Sequence, residues 1–361
     1  MRNSSKEKYK VAVLGSGNWG SVAAKLIASN TLRNNDFHGE VRMWVHDEIL
    51  PSGEKLSTVI NQTNVNVKYL PGVKLGKNVV ADPDLDSSVG KIFAVRDANM
   101  LVFVTPHQFV DDVCKRLVGK IPGDVEAISL IKGMEVKVEG PRMISSVISE
   151  HLGVDCCVLM GANIAHEIAE EKFSEATIGY RVNTEAAKRW ARLFSTPYFA
   201  VTAVQDVEGV EVCGTLKNVV AIAAGFVDGL NMGMNTKAAI IRIGLNEMRA
   251  FSKRLFPSVK DDTFFESCGV ADLIATCFGG RNRKVAEAFA INGGQRAFKE
   301  LEEEMLKGQK LQGVLTAEEV YGVLQKNKWL DLFPLFRTIH EICTGNRPVS
   351  AIISCNEPQL A

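Results

Sequence analysis

The apolar run Lys10-Val11-Ala12-Val13-Leu14 passes directly into Gly15-Ser16-Gly17-Asn18-Trp19-Gly20, and from there Val22, Ala23, Leu26 and Ile27 recur at helical spacing. A short apolar strand that turns on three glycines into an amphipathic helix is the opening unit of a parallel sheet covered on both faces. The glycines permit a tight turn and the close approach of a pyrophosphate, whose charge meets the backbone N–H groups at the helix start. The competing reading is an ordinary strand-to-helix turn. The strand before the glycines and the helix after them favour the nucleotide loop.

Further apolar runs predict strands over 41–45, 100–104 and 125–130, with a helical pattern over 109–117 between the last two. This βαβ order predicts a doubly wound α/β sheet of the Rossmann-like kind. Later strands are expected over 156–160, 176–180 and 199–204, with a helix over 183–194. From Asp206 onward only helical periodicity remains, over 207–224, 237–251, 267–277, 282–290, 297–307, 317–326 and 335–343. We therefore expect a nucleotide-binding domain over 1–204 and an all-helical domain over 205–361.

A chain of 361 residues, 46% of them hydrophobic, is large enough for two cores. Its 42 basic and 42 acidic side chains cancel, so neither nucleic acid nor an anionic membrane is expected as a bulk partner, and attraction for an anion must be local. The eight cysteines lack metal-ligand spacing and read as small core residues in a reducing compartment, with no metal. The first nine residues are polar and basic and lead straight into a strand, which gives no expectation of a signal or transit peptide. No run is expected to reach the ~18 apolar residues of a membrane span. A cytoplasmic protein is the resulting expectation.

Several polar residues stand where chemistry needs them. Lys217 interrupts the apolar helical run 214–221, and desolvation there would bring its pKa toward the working range of a proton donor to a carbonyl oxygen. The bland alternative is a stem that snorkels to solvent. Asp47 and Glu48 close the second strand, where an acidic residue holds an adenosine ribose and opposes a 2′-phosphate; Asp47 could equally cap the next turn. Phe109 follows a central strand and could flank a cofactor or pack in the core, and Lys132 ends another strand on the same side of the sheet. Asp272 and Thr276 lie four apart, hence on one helix face. Gly279-Gly280-Arg281-Asn282-Arg283-Lys284 starts a helix whose first turn is basic, against its dipole, which suits a bound phosphate. Arg283 and Lys284 read as a solvated face, Arg281 as the anion ligand.

With Pro106-His107-Gln108-Phe109, Met160-Gly161-Ala162-Asn163-Ile164-Ala165 and Gly308-Gln309-Lys310-Leu311-Gln312-Gly313, these motifs resemble the eukaryotic-type NAD-dependent glycerol-3-phosphate dehydrogenases in order, from about Tyr9 to about Val349. The resemblance implies a 6-phosphogluconate-dehydrogenase-like fold, NAD as cofactor, a homodimer, and reversible reduction of dihydroxyacetone phosphate to sn-glycerol 3-phosphate. It makes Lys217 the acid/base beside Asn218, with Lys132, Asp272 and Thr276 completing the polar site and Arg281 and Asn282 on the substrate phosphate. Gly15, Ser16, Gly17, Asn18, Trp19, Gly20, Phe109, Ala165, Arg281, Lys310 and Gln312 would contact the cofactor. His46 stands on the adenosine side, where the family often carries an aromatic residue. Two other readings compete: a β-hydroxyacid dehydrogenase of similar plan, which has no use for the Arg281 cluster, and a non-catalytic NADH-binding protein, which has no use for Lys217, Lys132 and Asp272 together.

Overall fold

The computed structural model describes residues 8–85, 97–137, 140–306 and 311–354. Its first compact unit comprises Met1–Ile131, Ile144–Leu159 and Asn163–Val207. Eight strands make one sheet: β1 (Tyr9–Leu14), β2 (Phe37–Trp44), β3 (Val79–Asp82), β4 (Met100–Phe103), β5 (Glu126–Ser129), β8 (Cys156–Met160), β9 (Ser174–Gly179) and β10 (Phe199–Val204), in the order β10-β9-β8-β5-β4-β1-β2-β3. A two-stranded antiparallel hairpin supplies β6 (Met134–Lys137) and β7 (Gly140–Met143). β1 pairs in parallel with β2 on one side and with β4 on the other, so the strand order reverses there, which is where ligands of open α/β sheets bind.

Alternate residues of β1 serve two cores, which explains its uninterrupted apolar sequence. Val11 and Val13 pack with α1 (Asn18–Arg33) and with Trp190 and Phe194, while Ala12 and Leu14 pack with Val113, Leu117, Val147 and Ile148. The helices on this unit are completed by α2 (Leu56–Thr63), α3 (Val110–Leu117), α4 (Ile144–Leu152), α5 (Ala165–Ala169) and α6 (Thr184–Phe194). The Asn183 carboxamide caps α6 by accepting from Ala186 N at 2.9 Å. The edge strand β3, α2 and the hairpin have no counterpart in the sequence reading. Their apolar runs are too short for a period to declare itself.

The second unit comprises Lys132–Met143, Met160–Ala162 and Glu208–Ala361. No single cut at residue 204 yields it, because two short pieces from earlier in the chain belong to it. Its helices are α7 (Val207–Gly229), α8 (Met234–Leu255), α9 (Asp272–Gly279), α10 (Arg281–Ile291), α11 (Phe298–Leu306), α12 (Gln312–Lys326) and α13 (Pro334–Cys343). One expectation fails here: α7, with mean hydropathy 1.5, is long and apolar enough to cross a membrane. All of its apolar window is buried inside the protein, so it is the core helix around which the unit packs. The predicted helix over 267–277 is broken, since Ser267–Ala271 forms a π turn before α9 begins. Gly269 is required in that turn, where a Cβ would lie 2.3 Å from Phe264 O.

Candidate active site

The glycine loop is built as a nucleotide cradle needs. Gly15 has φ +124°, and a Cβ on it would stand 3.0 Å from the Val104 backbone. A Cβ on Gly20 would lie 2.1 Å from Gly15 O, whereas one on Gly17 would meet nothing within 4 Å. The first and third glycines therefore serve the turn itself and the second leaves open space. α1 starts at Asn18 with no capping side chain and no acid in its first turn, leaving its first N–H groups without acceptors inside the helix. Beside the turn, the Thr105 hydroxyl is buried with no hydrogen-bond partner among the described residues. Open space, unused amide donors and an orphan hydroxyl fit a dinucleotide.

Behind the loop lies a residue that sequence reasoning missed. Asn66, fully buried, donates from Nδ2 to Ser16 O and to Ser21 Oγ, both at 2.8 Å, and accepts from Tyr69 N at 3.1 Å. It is one of three asparagines in the polar stretch 61–66, with nothing to single it out. Asn18 Nδ2 donates to Tyr69 O at 2.9 Å. Trp19 packs edge-on against Phe199, with ring centroids 6.2 Å apart, so its ring serves the core.

At the end of β2, Asp47 Oδ1 accepts from Ser57 N at 3.1 Å and so caps α2, while Oδ2 has no hydrogen-bond partner among the described residues. Tyr69 Oη donates to Glu48 Oε1 at 2.6 Å and Lys68 pairs with Oε2. The hydrogen bond from Lys68, then that from Tyr69, holds the Glu48 carboxyl below its usual range. Both acids are thus engaged by the protein. His46 is exposed. Phe109 is 54% exposed in a short 3-10 turn, which excludes the core-packing reading. Ala165 opens α5 and Gln312 opens α12, both half-buried, whereas Lys310 lies outside the described residues.

The polar cluster of the second unit centres on Asp272. Lys217, on the buried helix α7, donates to Asp272 Oδ1 and, at 2.7 Å, to Thr276 Oγ1. Lys132 Nζ donates to Asp272 Oδ2 at 3.1 Å. Thr215, two residues before Lys217, accepts from Gly133 N at 3.1 Å and donates to Glu211 O at 3.0 Å, which fastens the Lys132 segment to α7; this residue too was missed. The snorkelling reading of Lys217 fails, because its side chain is only 5% exposed. Burial, aided by the neighbouring Lys132 and against the opposing pull of Asp272, lowers its pKa to about 7. Two lysines share a single carboxylate, so the cluster either holds one neutral amine or carries excess positive charge.

Arg281 opens α10 and is exposed, at a helix start whose first turn has no acid. Asn282 is tied down: Nδ2 donates to Asn218 Oδ1 at 2.9 Å and Oδ1 accepts from Gly313 N at 2.8 Å. Its carboxamide is a brace between α7, α10 and α12, and what it chiefly offers a phosphate is its backbone N–H at the helix start. The solvated-face reading of Arg283 is corrected, since its side chain is 15% exposed and pairs at 2.9 Å with both Asp228 and Glu287. Lys284 is exposed, as expected.

Residues 10–186 match the family model for the N-terminus of NAD-dependent glycerol-3-phosphate dehydrogenase, and residues 206–354 match that for its C-terminus. The chain belongs to this family. Glycerol-3-phosphate dehydrogenase [NAD(+)] 1, chloroplastic, of Arabidopsis thaliana is 72% identical over 353 residues, 98% of this chain and 87% of that protein. The cytoplasmic glycerol-3-phosphate dehydrogenase [NAD(+)] of Bos taurus is 50% identical over 353 residues, 97% of this chain and 98% of that protein. Among solved structures, the glycerol-3-phosphate dehydrogenase of Saccharomyces cerevisiae superposes with a TM-score of 0.88 at 43% identity, covering 97% of this chain and 99% of that one. As a glycerol-3-phosphate dehydrogenase, the chain has its NAD-type glycine loop in the N-terminal match and its lysine–aspartate cluster chiefly in the C-terminal one, with Lys132 the exception.

Proposed function

We infer that this chain catalyses the reversible reaction of dihydroxyacetone phosphate, NADH and a proton to sn-glycerol 3-phosphate and NAD. The observation that carries the reading is Lys217: a buried ammonium with its pKa brought to about 7, hydrogen-bonded to Asp272 and Thr276. That is a proton donor matched to neutral pH.

NADH, when bound, supplies the hydride that reduces the ketone carbon. Lys217 Nζ gives the ketone oxygen its proton as that oxygen becomes a hydroxyl, and takes it back in the reverse direction. Asp272 and Thr276 hold Nζ in place, and Lys132 stabilises the negative charge that develops on the oxygen. Arg281, with the amide groups at the start of α10, binds the phosphate and so fixes the ketone for reaction. The glycine loop with Phe109, Ala165, His46, Lys310 and Gln312 holds the cofactor, and the acidic end of β2 opposes the extra phosphate of NADP. A β-hydroxyacid substrate is not favoured, since it would leave Arg281 without a phosphate. The same reading includes a homodimer and a cytosolic enzyme that supplies glycerolipid backbone and reoxidises NADH. The bovine relative's name supports the location and the Arabidopsis relative's name speaks for a chloroplast instead; light scattering tests the dimer and cell fractionation the location.

The decisive assay follows NADH oxidation with dihydroxyacetone phosphate beside unphosphorylated dihydroxyacetone, and with NADPH in place of NADH. Turnover confined to the phosphate ester and NADH is expected. A folded, NADH-binding protein that leaves dihydroxyacetone phosphate untouched overturns the reading.

A further inference from the structure

A second charged cluster lies in the helical unit, apart from Lys217, Asp272 and Lys132. Lys237, 4% exposed, places Nζ 2.7 Å from Asp228 Oδ2, and Arg283 Nη1 lies 2.9 Å from the same oxygen. Lys237 Nζ also stands 4.4 Å from the centre of the Phe278 ring, a cation–π contact. Phe278 immediately precedes Gly279-Gly280, and Arg283 follows just after. The turn that carries Arg281 is therefore fastened on both sides to one carboxylate.

The Asn282 carboxamide ties the turn's far side to Asn218 and Gly313, while its Gly279 side is open. A Cβ on Gly279 would meet nothing within 4 Å. Asp228 is a fixed reference, because α7 continues unbroken from Lys217 to Asp228. Three helical turns separate the two residues, about 16 Å of rise, and they face the same side of the helix. α10 is also pressed onto α7 at this point, where a Cβ on Gly225 would lie 2.3 Å from Arg283 O. Helix α7 thus measures out the distance between the proton donor and the phosphate ligand.

We propose that Asp228 and Lys237 are positioning residues that hold Arg281 at its distance from Lys217, and that they thereby set the preference for a phosphorylated over an unphosphorylated substrate. The inference rests on the reading of Arg281 as the phosphate ligand. Neither residue touches substrate; both act through the turn.

The test compares kcat/KM for dihydroxyacetone phosphate with kcat/KM for dihydroxyacetone in wild type, Asp228→Asn, Lys237→Met and Lys237→Arg. The ratio falls about 10- to 100-fold in Asp228→Asn and Lys237→Met, the scale of a misplaced binding group. Turnover of dihydroxyacetone stays within about twofold. Lys237→Arg, which keeps the charge and stacks on the ring, restores most of the ratio. An equal fall for both substrates, or an unchanged ratio, overturns the proposal. Should Asp228→Asn fail to fold, the Lys237 pair decides alone. A wild-type enzyme without preference for the phosphate ester overturns the reading of Arg281 itself, before any variant is compared.

Discussion

Lys132 and Lys217 are joined through opposite oxygens of a single carboxylate, Asp272 Oδ2 and Oδ1. The arrangement sets two cations against one anion in a site where Lys217 and Asp272 are nearly inaccessible. Each partner therefore acts on the proton affinity of Lys217 with a sign of its own.

Replacing Lys217 by alanine removes the proton donor and leaves the glycine loop intact. Reduction of dihydroxyacetone phosphate should fall by about 10²- to 10⁴-fold, the usual worth of a general acid. NADH binding, followed by fluorescence titration, should not change; severe loss of binding would assign Lys217 to the cofactor.

The direction of reaction sets the pH profile. Reduction needs Lys217 protonated, so its rate should decline as pH rises through about 7. Oxidation of sn-glycerol 3-phosphate needs the neutral amine and should climb over the same interval. Profiles of kcat/KM in both directions that move in parallel would exclude Lys217 as the titrating group.

Two substitutions should displace that midpoint in opposite directions. Asp272 raises the Lys217 pKa, so Asp272→Asn moves the midpoint to lower pH; Lys132 lowers it, so Lys132→Met moves the midpoint to higher pH. Shifts of the same sign would contradict the shared-carboxylate geometry.

Gly17 and Gly20 should separate in their effects. Gly20→Ala drives a Cβ into the Gly15 carbonyl and should lower the melting temperature together with NADH affinity. Gly17→Ala adds a methyl group where nothing stands within 4 Å, so the protein should melt as wild type while the Kd for NADH rises. Normal NADH binding by Gly17→Ala would mean that the open space serves another purpose.

Asn66→Ala leaves the Tyr69 N–H without its buried acceptor and Ser16 O with only the longer bond from Ser21 Oγ at 3.3 Å. A loss of about 1–3 kcal/mol in chemical denaturation is expected, the penalty of unsatisfied buried polar groups. NADH affinity should weaken with it, since the loop rests on that amide.

The α/β unit and the helical unit were legible along the chain because their signal is local. β1 reads as a doubly covered strand from five consecutive residues, and α8, α10 and α13 announce themselves by an apolar period within one element. Gly15, Gly17 and Gly20 were legible for the same reason, since a turn is made by its own residues. Lys217, Lys132, Asp272 and Arg281 could be singled out as charges in places where a charge needs a reason.

What the charges reach for is another matter. Lys132 meets Asp272 across 140 residues, Gly133 meets Thr215 across 82, and Ser16 meets Asn66 across 50. Arg283 looked like surface and is half of a partly buried pair with Asp228, 55 residues away. Asp47 could hold a ribose or cap a helix by position alone, and it caps α2 because Ser57 N arrives at 3.1 Å. Apolar periodicity along the chain selects the elements and the faces they bury. The pairing of each buried polar group depends on which distant segment the packing brings within hydrogen-bond reach, and no local pattern encodes that distance.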